Sequence, residues 1–180
     1  GFLRGDGATR VHIHEGKAQF TVDIAEGQKT GWFWDQRENR LAAARYAHGA
    51  LLDCFSYHGG FALALAPRCR TVEALDVSAD AVARISANAA ANGITNLTAR
   101  EANVFDELRH LEREGARYDT VVLDPPAFAK NKASVQNALA GYKEINLRAL
   151  RLLAPGGYLV TCSCSYNVDE GMFGQAVFEA

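Results

Sequence analysis

One strand–turn–helix unit constrains the fold more than any other part of this sequence. The apolar residues Leu51 and Leu52 lead to Asp53, a short polar turn follows, and Gly59 and Gly60 open an alanine-rich segment. This pattern predicts a β-strand, a tight turn and an α-helix, the first βα unit of a nucleotide-binding α/β fold. A helix that begins there offers free N–H groups to a ligand, and glycine lets the ligand approach the backbone.

Strand and helix patterns alternate along the rest of the chain. Helices are predicted at about residues 35–48, 78–92, 105–114 and 142–153 and from 169 onward, and strands at about 71–75, 97–100, 120–123 and 158–161. Asp35 and Ser78 are the predicted N-caps of the first two of these helices. The alternation predicts an α/β fold with a mostly parallel sheet and helices on both faces. Residues 1–28 instead alternate like a β-hairpin with a linker, so the predicted domain is 29–180.

Composition excludes several classes of protein. No apolar run in the 180 residues is long enough to span a membrane, and nothing resembles a signal peptide. The net charge of -2 gives no support for nucleic-acid binding through bulk electrostatics, although a local basic patch stays open. The four cysteines lack the spacing of a zinc site, and His12 and His14 lack a third ligand, so no metal is predicted. Free cysteines fit a cytoplasmic location.

Polar residues follow each predicted parallel strand. They are Asp53, Asp76, Asn103, Asp124 and the run Ser163-Cys164-Ser165. Because ligands bind beyond the carboxyl ends of the strands in an open parallel sheet, we expect these residues to form one site. An acid at the tip of the second strand, here Asp76, is placed to hydrogen-bond a ribose.

The segment that begins at Asp124 is the most specific local signal. Pro125 and Pro126 carry no backbone N–H, so we expect the Leu123 and Asp124 carbonyls and the Asp124 carboxylate to lack a local donor. A planar base could take those hydrogen bonds and stack on Phe128. In the alternative interpretation, the prolines only terminate a strand.

The cysteines divide into packing residues and a candidate nucleophile. Alternation along a strand end places Cys162 and Cys164 on one side, and a thiolate is a strong nucleophile at neutral pH. We expect Cys54, Cys69 and Cys162 to pack in apolar surroundings, and Cys164 to be the reactive thiol.

Two tryptophans near the first predicted helix have two interpretations. Trp32 and Trp34 lie close in sequence to Lys29, Arg37 and Arg40, which together could form a stacking surface for bases. In the alternative interpretation, they anchor the hairpin to the core. We favour the anchor.

Together these residues resemble the class I S-adenosylmethionine-dependent methyltransferases, and more narrowly the bacterial enzymes that methylate carbon 5 of cytosine in 23S ribosomal RNA. The resemblance runs from about Val22 to Ala180. Several ordered motifs carry it: Gln28-Lys29-Thr30-Gly31, Asp35-Gln36-Arg37, Asp53 to Phe61, Asp124 to Lys130, Gly141-Tyr142-Lys143 and Ser163-Cys164-Ser165.

The resemblance implies a Rossmann-like methyltransferase sheet with S-adenosylmethionine as the cofactor. The implied cofactor-binding residues are Asp53, Phe55, Ser56, Tyr57, Gly59, Asp76, Asn103, Asp124 and Pro125. The implied catalytic residues are Cys164, as the nucleophile that adds to carbon 6 of the base, and Asp124. Asn103 stands where an aspartate is usual. Phe55 and Tyr57 stand where most methyltransferases have glycine.

The implied substrate is 23S ribosomal RNA. The candidate phosphate contacts are Lys29, Arg37, Lys130, Lys132 and Lys143. Relatives carry an additional N-terminal RNA-binding domain of the PUA type and further strands after residue 180, so we expect a catalytic core truncated at both ends. A homodimer is compatible with the sequence, which does not determine the oligomeric state.

Two other functions stay open at this point. The same fold with an Asp-Pro-Pro motif also serves transfer to an exocyclic amine or a guanine nitrogen, for which no cysteine is needed. A non-catalytic RNA-binding or ribosome-binding module would keep the fold without the chemistry. A dinucleotide oxidoreductase is disfavoured because the turn lacks the full G-x-G-x-x-G pattern.

Overall fold

The computed structural model of the protein describes residues 9–25, 31–129 and 131–180. The strands in these ranges are β1 (Arg10–Glu15), β2 (Ala18–Asp23), β3 (Ala50–Cys54), β4 (Thr71–Asp76), β5 (Leu97–Glu101), β6 (Tyr118–Leu123) and β7 (Leu153–Thr161). The α-helices are α1 (Arg37–Ala43), α2 (Gly60–Leu65), α3 (Ala79–Ala91), α4 (Val104–Arg113), α5 (Val135–Leu152) and α6 (Glu170–Phe178). The predicted alternation of strands and helices is confirmed.

The central sheet has the strand order β5-β4-β3-β6-β7, and all of its neighbouring strands are parallel. Successive residues of a strand point to opposite faces. Leu51 therefore packs in one core cluster with residues of α2 and α3, whereas Leu52 packs in a second cluster with residues of α4 and α5. Burial on both faces explains why the central strands β3 and β6 have continuous apolar runs rather than alternating patterns.

The hairpin of β1 and β2 is antiparallel, as predicted, and packs against α3. Phe20 of β2 is buried, with its ring centroid 4.2 Å from that of Trp32. Asn88 of α3 and Asn92, the C-cap of α3, bind the β2 backbone: Asn92 accepts from the Gln19 N–H (2.8 Å), and Asn88 accepts from the Thr21 N–H (3.0 Å). The amide of Asn88 also donates to the His58 carbonyl (3.1 Å), so it connects the hairpin to the turn after β3.

Two helix starts differ from prediction. A 3₁₀ turn at Trp34–Gln36 precedes α1, and no side chain caps either element, so the prediction of Asp35 as an N-cap is wrong. Helix α5 begins seven residues before the predicted start, because a 3₁₀ turn at Lys132–Ser134, closed by a capping box between Asn131 and Ser134, leads directly into it. Ser78 does cap α3, by accepting from Ala81. Among the described helices, none has both the length and the apolar character needed to cross a membrane.

Candidate active site

The carboxyl ends of the parallel strands border a cleft of about 1210 Å³. Nearly all the residues that the sequence singled out line it: Asp53, Phe55, Ser56, Tyr57, Asp76, Asn103, Asp124, Pro125 and Cys164. Gly59 does not line the cleft but lies in the turn that forms its wall. The structure therefore brings the predicted site residues to one place, as the parallel topology requires.

The turn after β3 holds three residues in the left-handed region of backbone space. Phe55 has φ 63°, Tyr57 has φ 52° and Gly59 has φ 85°. A Cβ on Gly59 would lie 2.4 Å from Leu63 Cδ1, so a larger residue would have to displace Leu63 in addition to adopting the strained backbone. For a residue with a side chain, this conformation costs about 1–2 kcal/mol. Such strain is usually found at functional sites. Phe55 and Tyr57 adopt the backbone conformation that glycine adopts more easily, which explains why the glycine-rich pattern is not visible in the sequence.

Asp53 is the most deeply buried acid of the cleft, with a relative exposure of 1%. Its Oδ2 accepts hydrogen bonds from Ser56 Oγ (2.5 Å) and the Ala62 N–H (3.0 Å). Its Oδ1 is buried and has no hydrogen-bond partner in the described residues. Burial raises the pKa of Asp53 to about 7, and the hydrogen bond from Ser56 opposes that shift. An unpartnered buried oxygen fits a ligand that brings a hydrogen-bond donor.

Asp76 and Asn103 are held at the tips of neighbouring strands. Asp76 Oδ2 accepts from the Tyr57 N–H (2.8 Å), and its Oδ1 accepts from the Ser78 N–H (3.0 Å). A carboxylate oxygen can accept more than one hydrogen bond, so Asp76 keeps capacity for ligand hydroxyls. The side-chain oxygen of Asn103 caps α4 by accepting from the N–H of Phe105 (3.0 Å). Asn103 therefore has a structural role besides its position on the cleft.

Asp124 lies at the end of β6, where its Oδ1 accepts from Gln36 Nε2 (2.8 Å). The sequence indicates only that the Leu123 carbonyl lacks a local donor; in the structure a residue distant in sequence, Cys162, donates its N–H to this carbonyl (2.8 Å), which is therefore already paired. The carbonyl of Pro125 accepts from the thiol of Cys164 at 3.6 Å. Sequence analysis missed Gln36 as a contact of Asp124, and the only signal for it is the motif Asp35-Gln36-Arg37.

The four cysteines have different surroundings. Cys54 is fully buried in the core cluster of Leu52, and the partly buried Cys69 packs against the cluster of Leu51, so both pack in apolar surroundings as predicted. Burial raises the pKa of Cys69 to about 11 and that of Cys54 well above its usual value. Burial, with the charge of Asp124, raises the pKa of Cys162 to about 12. Cys164 is exposed and lines the cleft, so it is the most exposed thiol of the four.

The hydroxyl of Tyr142 holds the segment around Cys164. It accepts from Ser163 Oγ (3.0 Å) and hydrogen-bonds Ser165 Oγ (2.9 Å), while Ser165 Oγ accepts from the Ala129 N–H (3.1 Å). Tyr142 and Ser165 are both buried. The residues on both sides of Cys164 are thus tied to α5. Sequence analysis recorded Tyr142 only as part of a motif.

Three phenylalanines form an aromatic wall of the cleft. The ring centroid of Phe128 lies 6.4 Å from that of Phe55 and 5.7 Å from that of Phe105. On its other side, Phe128 packs against Tyr142 at 4.7 Å. A Cβ on Gly141 would lie 3.3 Å from the Phe128 ring, so glycine makes room for it. The wall offers flat apolar surface to a planar ligand.

The two tryptophans have different environments. Trp32 is buried, and its Nε1 donates to Glu15 of β1 (3.1 Å). Arg40, with 3% exposure, forms a double hydrogen bond with the same carboxylate (2.6 Å each) and lies over the Trp32 ring. Trp32 therefore anchors the hairpin, as favoured from the sequence, whereas Trp34 is 51% exposed.

The candidate phosphate contacts are scattered. Lys29 and Lys130 lie outside the described residues. Arg37 and Lys132 are exposed, and Lys143 forms an ion pair with Glu179, the C-cap of α6, at 3.1 Å. Within the described part of the chain, Arg37 and Lys132 are therefore the candidates that are exposed and form no ion pair.

Comparison with known proteins identifies the family. Residues 1–174 match the model of a family described as S-adenosylmethionine-dependent methyltransferase. The chain belongs to this family. It is 42% identical to the ribosomal RNA large subunit methyltransferase I of Shewanella denitrificans and 41% identical to that of Aeromonas salmonicida. Both alignments cover the whole chain but 47% of the relative, so the chain spans about half the length of these relatives.

Solved structures agree with the family. The SMU.776 methyltransferase, crystallised with SAH, superimposes with a TM-score of 0.85 at 26% identity, over 98% of this chain and 48% of that one. A SAM-dependent methyltransferase from Agrobacterium tumefaciens gives the same TM-score at 17% identity, over 99% and 60%. The second likeness shows the fold alone. The cofactor of the family is S-adenosylmethionine, as the sequence predicted.

Proposed function

We propose that this chain is the catalytic part of an enzyme that forms 5-methylcytosine in 23S ribosomal RNA, with S-adenosylmethionine as the methyl donor. The observation that carries the proposal is the exposed thiol of Cys164 in the same cleft as Asp124, within a methyltransferase fold. The names of the relatives support large-subunit ribosomal RNA as the substrate. We assign the chemistry to residues 29–180 and a supporting role to the hairpin of residues 1–28.

The cofactor would lie along the tips of β3, β4 and β5. The unpartnered Asp53 Oδ1 suits a donor such as the ammonium group of the methionine part. Asp76 would accept from the ribose hydroxyls, and Asn103 would lie near the adenine. Phe55, Ser56, Tyr57 and Gly59 would form the turn around it, and Asp124 and Pro125 would border its methyl end. When bound, the cofactor supplies an electrophilic methyl group.

Cys164 would make carbon 5 of the cytosine reactive. That carbon is too weak a nucleophile to take a methyl group directly. Addition of the Cys164 thiolate to carbon 6 moves the electron pair of the double bond to carbon 5, which then bonds to the methyl group. A base next removes the proton from carbon 5, the double bond re-forms, and the thiolate leaves. The other three thiols suit this role less, because burial raises the pKa of each.

Asp124 would bind the base while this charge shift occurs. Its carboxylate suits the exocyclic amine and ring nitrogen of cytosine, and it would stabilise the charge that develops on addition. Phe128 offers a face for the base to stack on. A base inside a folded RNA must flip out to enter such a cleft. One copy of the chain provides all of these groups, so the proposal does not require a homodimer.

Exposed cations would hold the RNA near the cleft. Arg37 and Lys132 are exposed in the structure, and Lys29 and Lys130 belong to the same group of candidates by sequence. Lys143 is a weaker candidate because it pairs with Glu179. Such contacts position RNA without reading its sequence.

The test is methyl transfer from labelled S-adenosylmethionine to unmodified 23S ribosomal RNA, with the product nucleoside identified by mass spectrometry. Cys164→Ala should abolish 5-methylcytosine, and Cys162→Ser should keep it, because Cys162 lies two residues earlier but is not assigned a chemical role. Another methylated base, formed equally well by Cys164→Ala, would instead favour transfer to an amine or guanine nitrogen. Cofactor binding without any transfer would favour a binding module.

A further inference from the structure

Gln36 is a buried polar residue that the proposed chemistry does not yet use. It ends the 3₁₀ turn at Trp34–Gln36 and lines the cleft beside Asp124. Its Nε2 donates to Asp124 Oδ1 at 2.8 Å, across 88 residues of sequence. A buried amide in this position must match its surroundings, because an unsatisfied polar group is costly there.

A second amide fixes the orientation of the first. Asn39 Nδ2 donates to Gln36 Oε1 at 2.7 Å, so the oxygen of Gln36 faces Asn39 and its nitrogen faces Asp124. The side chain of Gln36 also lies close to Cys162, the residue that follows β7. Asn39, Gln36 and Asp124 thus form a chain of hydrogen bonds from the surface of α1 to the cleft.

We infer that Gln36 is a positioning residue that holds the Asp124 carboxylate in one orientation and in its charged form. A donor to Oδ1 favours the ionised carboxylate. It also directs any proton that Asp124 takes up to Oδ2, because Oδ1 already accepts from an N–H group. The role of Asp124 toward a cytosine rests on the proposed function, but the effect of Gln36 on Asp124 does not.

This difference allows a test that needs no RNA. The titration of Asp124 is followed by carbon-13 NMR of its side-chain carboxyl group, assigned with Asp124→Asn, in wild-type protein and in variants. In Gln36→Leu, which removes the donor, the midpoint should move upward, because a hydrogen bond to the ionised carboxylate favours the charged form. Asn39→Ala should move it in the same direction by less, and because Asn39 is exposed this variant should keep the fold. Asp53 from β3 and Cys162 from β7 also face Asp124, and these variants retain both.

A matched control is available in α6. Gln175 Nε2 donates to Glu179 Oε1, also at 2.8 Å, on the exposed surface. Gln175→Leu removes the same type of bond without touching the cleft, so the titration of Asp124 should not change. An Asp124 midpoint that stays fixed in both Gln36→Leu and Asn39→Ala, or that moves equally in Gln175→Leu, would overturn the inference.

Kinetics extend the test to the reaction. In Gln36→Leu the acid limb of the pH–rate profile should move upward, and kcat at neutral pH should fall between about 10-fold and 100-fold through misplacement of the carboxylate. The KM for S-adenosylmethionine should change less than kcat, because the other residues assigned to the cofactor, such as Asp53 and Asp76, are not altered. Failure of wild-type protein to form 5-methylcytosine contradicts the proposed function, whereas an unshifted Asp124 titration contradicts the role of Gln36. The two failures are therefore distinguishable.

Discussion

Replacing Asp53 by asparagine should stabilise the folded protein at neutral and higher pH. Burial raises the pKa of Asp53 from 3.8 to about 7, so the folded state holds a proton that the unfolded chain has already lost. Between about pH 4 and pH 7 the folded state therefore binds more protons than the unfolded state. Its stability falls as pH rises through this window, and the loss is complete above about pH 7.

The size of the effect follows from the shift in pKa. At about 1.4 kcal/mol for each unit of pKa, the contribution of Asp53 amounts to at most about 4 kcal/mol between acid and alkaline pH. Asparagine has the same shape and carries no charge, so Asp53→Asn lacks this loss. The difference in unfolding free energy between the variant and the wild type should grow with pH, from about pH 4 to about pH 7, and stay level above that.

Urea unfolding of both proteins at half-unit intervals from pH 4.5 to pH 8.5 measures this difference. Groups common to both proteins cancel in the subtraction. Asp169→Asn is the matched control, because Asp169 caps α6 at an exposed position, where asparagine is an equally good cap. If the difference in unfolding free energy does not change with pH, or if it shrinks as pH rises, then the pKa of the buried Asp53 carboxyl group is not raised and the reasoning is refuted.

Three further predictions concern the supports of the site. Burial, with the charge of Arg84, lowers the pKa of His58 to about 4, so the folded state loses stability as pH falls below about 6.5. The unfolding free energy, measured with urea, should therefore fall less between pH 7.5 and pH 4.5 in His58→Gln than in the wild type, by up to about 3 kcal/mol. Tyr142→Phe removes one hydrogen-bond partner of the buried Ser165 hydroxyl and should lower the unfolding free energy by about 1–3 kcal/mol. Methyl transfer by this variant should be slower, while its binding of the cofactor should be unchanged. Asn88→Ala removes the acceptor of the Thr21 N–H and should speed proteolysis within the hairpin, and an unchanged cleavage rate would contradict that role.

The arrangement of the site was predictable because it follows from topology. Apolar runs that end in Asp53, Asp76 and Asp124 predict parallel strands whose carboxyl ends meet at one edge. The structure places all three acids on one cleft for that reason. Helix caps that depend on a few neighbouring residues, such as Ser78, were equally accessible to sequence analysis.

Long-range partners were not predictable in the same way. Asn88 binds a residue 67 positions away, and Gln36 binds one 88 positions away. Neither contact can therefore be recognised from a periodic pattern or a local motif in the sequence. The start of α5 was also predicted too late, because the polar segment before Tyr142 resembles a loop by composition although a capping box at Asn131 begins a helix there. The left-handed backbone of Phe55 was hidden because glycine usually marks that conformation.

A covalent adduct with the target base is the most direct test of Cys164 as the nucleophile. Ribosomal RNA made with 5-fluorocytidine cannot lose its carbon-5 substituent as a proton, so the bond from sulfur to carbon 6 should persist after methyl transfer. With S-adenosylmethionine present, wild-type protein and Cys162→Ser should form this adduct, and peptide mass spectrometry should locate it at Cys164. Failure of both to form an adduct while they methylate ordinary cytosine at carbon 5, or an adduct on another residue, would contradict the proposed mechanism.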